Sequence, residues 1–501
     1  MTRSHGVVRW FNFASIAFLV LASASGMLLA SGVSTTARAI FQVLALGAFL
    51  ATICSMAMEG NWRMVRTPLW LLPMVLFALV VVQSQSLPAG LVQRVQQTWE
   101  TDNEAVAFSA NRHATFQGLL WLTSACMLLF VALQQLRTVR QLQATIGALA
   151  VLLLMSGILA KVQAPRSQPE FLSLMQSVKQ NSPAMGRDLT RADSAIGPFA
   201  YLPRAELQLP GNSADGNTWY VPAKPADGEF AVAGFWRSSQ WSICVLALIP
   251  VLVGLGVTRL MHAQDLHGKR WPSQLEGQTG LAFATLAILL SLVAGFHADP
   301  VRQLVPAIAS LLIGVFLVGS AGRKKFLVIA FLAASSMAAA CASQRMRPGT
   351  PSLLDAEPWR STWSDNGSLL RVLGDHLWVG CGLGALGDVW PRYRTVAASQ
   401  ANQASSLLAM FGETGLVGIL LILLTTSYVF IRWQRIRVHL SGVSRALTGS
   451  MVAGLGALFV AGLIGPGLEA PVTWCVATLL FGTLARGLAG CEFVFQGEAR
   501  R

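Results

Sequence analysis

The residues best able to do chemistry in this chain are a set of arginines. Arg302 closes the short run His297-Ala298-Asp299-Pro300-Val301-Arg302, and Arg237 stands just before an apolar stretch. The segment 343–406 adds Arg345, Arg347, Arg360, Arg371, Arg392 and Arg394. A guanidinium stays charged at any working pH and grips phosphate oxygens in a bidentate fork. Such groups at the mouth of a membrane helix suit a membrane-borne pyrophosphate. Each also has an ordinary reading: basic side chains at a bilayer rim snorkel to lipid headgroups or pair with Asp and Glu. Arg302 stands apart, since a charge in a short connection at a helix mouth is costly to keep without use. Glu413, at the start of the apolar run Leu407–Val429, is a candidate general base, arginine partner or proton relay. Its ordinary reading is an interfacial neutral or salt-bridged carboxylate. His113, His297 and His376 are the histidines expected on the same side as the arginines, and each alone reads more simply as a surface histidine than as a base.

Several chemistries are not supported. The glycines of Gly380-Cys381-Gly382-Leu383-Gly384 do not make a nucleotide loop, because no strand precedes them and no Walker lysine follows; the stretch from Arg360 to Arg394 reads as a turn-rich loop. The seven cysteines are scattered with no Cys-x-x-Cys spacing, so no metal site and no cofactor are assigned. Cys341 and Cys381 fall near one face and would pair in an oxidising compartment. The net charge of +14 does not point to nucleic acid, because the basic residues flank apolar runs instead of forming one stripe.

What must position these residues is a bundle of membrane helices. Of 501 residues, 53% are hydrophobic and 12% charged, about half the charge of a soluble domain. Apolar runs near Trp10–Ser31, Ala39–Met58, Pro68–Val82, Phe116–Leu133, Thr145–Ala160 and Trp241–Val257 read as helices. The second half adds Thr279–Phe296, Leu304–Val318, Phe326–Ala340, Leu407–Val429, Leu447–Ile464 and Val472–Leu484. Each is near the length that crosses a bilayer, and a helix is the form that satisfies its own backbone there. The fold class is therefore all-α, a polytopic membrane protein of about twelve transmembrane helices. The first run is read as a retained helix, being too long for a signal-peptide core.

Lys and Arg in the short connections set the orientation. With the N-terminus inside, alternate connections carry Arg3 and Arg9; Arg63 and Arg66; Arg137 and Arg140; Arg259, Lys269 and Arg270; Arg323, Lys324 and Lys325; Arg432, Arg435, Arg437 and Arg445; Arg500 and Arg501. The short connections of the other side hold little beyond Arg38 and Arg302. The expected location is the inner (cytoplasmic) membrane with both termini cytoplasmic. Residues 1–162 hold helices one to five, 163–240 a periplasmic loop, and 241–342 helices six to nine. Residues 343–406 form a second large periplasmic loop carrying the candidate site, and 407–501 hold helices ten to twelve.

Placed in this frame, the motifs resemble the O-antigen ligase and O-antigen polymerase superfamily. That family shows an Arg and a Trp, then a glycine run of the form G-x-G-x-G, then Y-P-x-Y; here Arg360, Trp363, Asp375-His376-Leu377, Gly380–Gly384 and Trp390-Pro391-Arg392-Tyr393 follow in that order. A Gly-x-x-Gly follows in the family, and Gly415-Leu416-Val417-Gly418 stands in the matching place. Arg302 matches the family's Ser-Arg-Gly only in its arginine, and Phe235-Trp236-Arg237-Ser238-Ser239 resembles Phe-x-Asn-x-Asn with both asparagines replaced. The resemblance implies a polyprenyl-pyrophosphate-linked glycan as donor and a hydroxyl on a glycan or lipid acceptor. It implies inversion without a metal. Arg237, Arg360, Arg392 and Arg394 would bind the pyrophosphate and glycan, with Arg302, Glu413 and His376 as catalytic residues.

The main departure is Ala404, which occupies the position of the family's catalytic histidine and cannot accept a proton. Three explanations are open: His376 or Glu413 takes over, the chemistry runs on arginines alone, or the chain binds glycolipid without catalysis. Rival classes are a transporter or flippase, which would place polar groups near the bilayer midplane at broken helices, and an envelope scaffold needing no arginine cluster.

Overall fold

Apolar length decides where the chain becomes helical, and capping residues decide where several of the helices begin. The computed structural model describes residues 2–28, 35–60, 65, 67–85, 109–158, 238–265, 270–297, 300–318, 320–345, 357–390, 393, 405–465, 468 and 471–489. The first half supplies α1 (Thr2–Leu28), α2 (Thr35–Met58), α3 (Leu71–Ser84, after a single turn at Pro68–Trp70), α4 (Arg112–Gln135) and α5 (Val139–Ile158). The second supplies α6 (Ser238–Asp265), α7 (Arg270–His297), α8 (Pro300–Leu317), α9 (Ser320–Arg345), α10 (Glu357–Asp375), α11 (Leu386–Val389), α12 (Ser406–Ile436), α13 (Gly442–Ile464) and α14 (Pro471–Leu488). Asn111, Ser405 and Ser441 cap α4, α12 and α13 by accepting from backbone N–H groups of the first turn.

Among the described residues, nine helices are long and apolar enough to cross a membrane, and three shorter apolar helices (α3, α8 and α14) accompany them. Each of the twelve apolar runs is thus a helix, and the chain is an all-α polytopic membrane protein. The innermost is α6, buried along nearly its whole apolar length; it packs on α7, α8, α9, α13 and α14. Small residues let these backbones approach: Gly254 lies against Ser450 of α13, and a Cβ on Gly256 would stand 3.0 Å from the Gly280 carbonyl of α7. Buried Trp241 donates its indole N–H to the Leu153 carbonyl at 3.0 Å, so the indole that docks α6 on α5 has its polar group satisfied. Large apolar side chains such as Phe13, Phe316 and Phe331 face outward, as lipid contact allows.

The basic connections gather at one end of the bundle. Arg137 pairs with Glu59 at 3.7 Å, and Arg259 pairs with Glu276 and donates to Gln143. Lys325 donates to the Leu260 carbonyl, Arg432 to that of Leu488 and Arg486 to that of Leu133. These contacts bring together the ends of α2, α4, α6, α12 and α14 and the start of α9, ends beside which the charge pattern grouped basic residues. Cys341 and Cys381 are both buried, in separate apolar clusters, and form no disulfide with each other.

Two local features depart from the sequence reading. Within the segment read as turn-rich loop, α10 forms an amphipathic helix. Leu369 and Val372 turn inward onto a small separate core with Cys381, Leu386, Val389, Trp390 and Ala409, while Leu370 and Arg371 face out. Its apolar stripe is too narrow to register as a membrane run. The helix α12 is not one rod: Gly415 has φ +63° and ψ −155°, which breaks it after Thr414. The part beyond, roughly 21 residues or about 31 Å of helix, suffices to span a bilayer core.

Candidate functional site

The break at Gly415 orphans backbone groups that a continuous helix would pair internally, and a buried site must satisfy them from elsewhere. The chain following α10 does so. Leu416 N–H donates to the Leu377 carbonyl at 2.6 Å in place of its helical partner, the Gly412 carbonyl. That carbonyl accepts from Cys381 N–H at 2.9 Å, and the Glu413 carbonyl accepts from Gly382 N–H at 3.3 Å. Within the turn, Gly380 N–H donates to the His376 carbonyl and Ala385 N–H to that of Gly382.

The glycines are explained by this wrap. Gly380, Gly382 and Gly384 have φ of +74°, +110° and +79°, a region that side chains rarely adopt. A Cβ on Gly380 would overlap the Glu413 carbonyl, and one on Gly382 would overlap the Ser109 hydroxyl. One on Gly415 would lie 2.8 Å from the Leu377 carbonyl. The G-x-G-x-G and G-x-x-G motifs, separate in sequence, therefore pack backbone to backbone as one junction. Neighbouring elements close it. Ala110 N–H, before α4, donates to the Cys381 carbonyl at 2.8 Å. Asn366 of α10 accepts from Ser405 N–H at 2.8 Å, and the Ser405 hydroxyl donates to the Gly462 carbonyl of α13.

At the centre of the junction is Glu413. Its side chain is 0% exposed, and among the described residues the one donor directed at its carboxyl group is the backbone N–H of Gly384. Among the described residues the carboxyl group has no cation beside it and less hydrogen bonding than a fully buried acid requires. His376 is carried by the other side of the same junction and is buried at 7% exposure. Burial holds its imidazole below the usual 6.5, against the opposing attraction of Asp375, so the ring is neutral at pH 7.

The structure thus brings Glu413 and the turn bearing His376 to one place. It puts Arg302 in the first turn of α8 and Arg360 in the first turn of α10, but their side chains lie outside the described residues, as do Arg237, Arg392, Arg394 and Ala404 altogether. Arg371 is exposed on the outward face of α10 and does not turn toward Glu413. His113 lies on exposed surface, 2.6 Å from Gln117. Among the described residues no group of His, Cys, Asp and Glu is placed to hold a metal.

Sequence reasoning missed Gln83. This last buried residue of α3 is 0% exposed and donates to the Val379 carbonyl at 2.6 Å and the Glu413 carbonyl at 2.9 Å, while accepting from Leu383 N–H at 3.1 Å. Its only signal was a polar residue directly following an apolar run, which most helix ends share. Comparison with protein-family models and with curated proteins found no match for this chain.

Proposed function

We propose that this protein transfers a glycan from a polyprenyl pyrophosphate to a hydroxyl of a glycan or lipid acceptor, as an O-antigen ligase or polymerase does. The observation that supports the reading is the buried Glu413 carboxyl group at the glycine junction, with no cation beside it among the described residues, which gives an acid–base group to a chain with alanine at the family's histidine position. The proposed setting is the inner membrane, with both termini cytoplasmic and residues 343–406 on the periplasmic side. The partners are the lipid-linked donor, the acceptor and surrounding membrane lipids.

In this mechanism the acceptor hydroxyl passes its proton to Glu413, with neutral His376 as the second available base. The acceptor oxygen attacks the anomeric carbon. The bond from that carbon to the phosphate oxygen breaks, and polyprenyl pyrophosphate leaves as the anion. General-base assistance is worth roughly 10²–10⁴ in rate. Arg302, with Arg237, Arg360, Arg392 and Arg394, neutralises the leaving charge; loss of one such donor costs about 3 kcal/mol of transition-state stabilisation.

The test is reconstitution of the full chain with a lipid-linked glycan, alongside gene deletion and analysis of surface polysaccharide. Arg302→Ala and Glu413→Gln are each expected to lower transfer about 100-fold or more with membrane insertion retained. Surface glycan of unchanged length and linkage in the deletion strain would refute the proposal.

A further inference from the structure

We infer that Gln83 is a positioning residue that fixes the direction of the Glu413 side chain by clamping the glycine turn onto the break in α12. For its catalytic consequence the inference rests on the glycosyl-transfer reading above; its structural consequence stands without it.

A carboxamide offers two N–H donors and one oxygen acceptor, and Gln83 directs all of them at the junction. The donors reach Val379 and Glu413, and the oxygen receives Leu383, partners lying 296, 330 and 300 positions away in the chain. A glutamine that only anchored its own helix would bond to α3 or to its neighbour α4. This one bridges the turn on one side and the broken helix on the other. The Glu413 carbonyl lies beside that of Gly412 in the turn that the break at Gly415 interrupts, and its other bond, from Gly382, is the longest of the junction at 3.3 Å. The Gln83 donation at 2.9 Å is therefore the stronger restraint on the peptide of residue 413, and through it on where the carboxylate points. The carboxyl group itself has only the backbone N–H of Gly384 beside it among the described residues, on the same turn that Gln83 holds through Leu383, and proton transfer needs that orientation within a few tenths of an ångström.

Gln83→Met fills a similar volume and offers no donor, which separates hydrogen bonding from packing. In the reconstituted full chain it is expected to lower kcat for glycan transfer about tenfold or more with KM for the donor substrate within about twofold, since it removes an interaction that orients the reacting group. Cys381, 0% exposed in the turn, provides the second readout. Its alkylation by a membrane-permeant thiol reagent, followed peptide by peptide by mass spectrometry, is expected to quicken about tenfold as the turn loosens. Gln83→Asn, which keeps the carboxamide on a shorter stem, serves in the same assays should the methionine variant not insert. Unchanged kcat together with Cys381 labelling as slow as in the wild type would overturn the inference. Absence of transfer by the wild-type protein would instead remove the functional reading, and the labelling rate alone would then decide the role of Gln83.

Discussion

Replacing Glu413 by methionine separates a residue kept for chemistry from one kept for stability. The carboxyl group is fully buried, with only the backbone N–H of Gly384 beside it among the described residues. Each unsatisfied buried polar atom costs about 1–3 kcal/mol, and an apolar side chain of similar volume removes that cost. Methionine has the length of glutamate and a flexible thioether that adapts to its surroundings. Allowing for imperfect packing, the variant should be about 1–3 kcal/mol more stable than wild type, a shift of about 5- to 150-fold in the unfolding equilibrium. Glutamine keeps the shape but leaves its polar atoms equally unpaired, so Glu413→Gln should gain far less. Both variants should lose transfer by roughly 10²–10⁴. Denaturant titration of the detergent-solubilised protein gives the first quantity, and the reconstituted transfer assay gives the second. A methionine variant less stable than wild type by 1 kcal/mol or more would mean that the carboxylate has a stabilising partner in the folded protein, and the case for a stored base would fail.

Two further outcomes follow from the junction. Gly380→Ala places a Cβ against the Glu413 carbonyl at a backbone φ of +74°; it should destabilise the protein by about 2 kcal/mol or more, and an unchanged denaturation midpoint would contradict the described packing. Burial depresses the His376 pKa, so as pH falls through 6.5 the unfolded chain binds a proton that the folded protein refuses. The stability of the wild type relative to His376→Gln should therefore decline below that pH by at most about 1.4 kcal/mol per unit, levelling off below the folded pKa. A pH-independent difference between the two, measured from pH 5 to 8, would show that the ring is not held neutral.

The twelve apolar helices, and the grouping of their basic ends on one side of the bundle, were legible in the amino-acid order alone. Both are local quantities: the length of an apolar run, and the charge within a few residues of its end, act wherever the rest of the chain lies. The motif residues Gly380 to Gly384, Glu413 and Gly415 were also visible as types at intervals. What they do together was not. The break at Gly415, the helix at Glu357–Asp375 and the convergence of Gln83 on Glu413 depend on which backbone groups are left without helical partners, and on which distant donors reach them. No periodicity or composition encodes a hydrogen bond across 330 positions; only packing the helices brings its two ends together. The same packing turns Glu413 from one acid near a membrane rim into a sealed carboxylate, because burial is a property of everything that surrounds a residue.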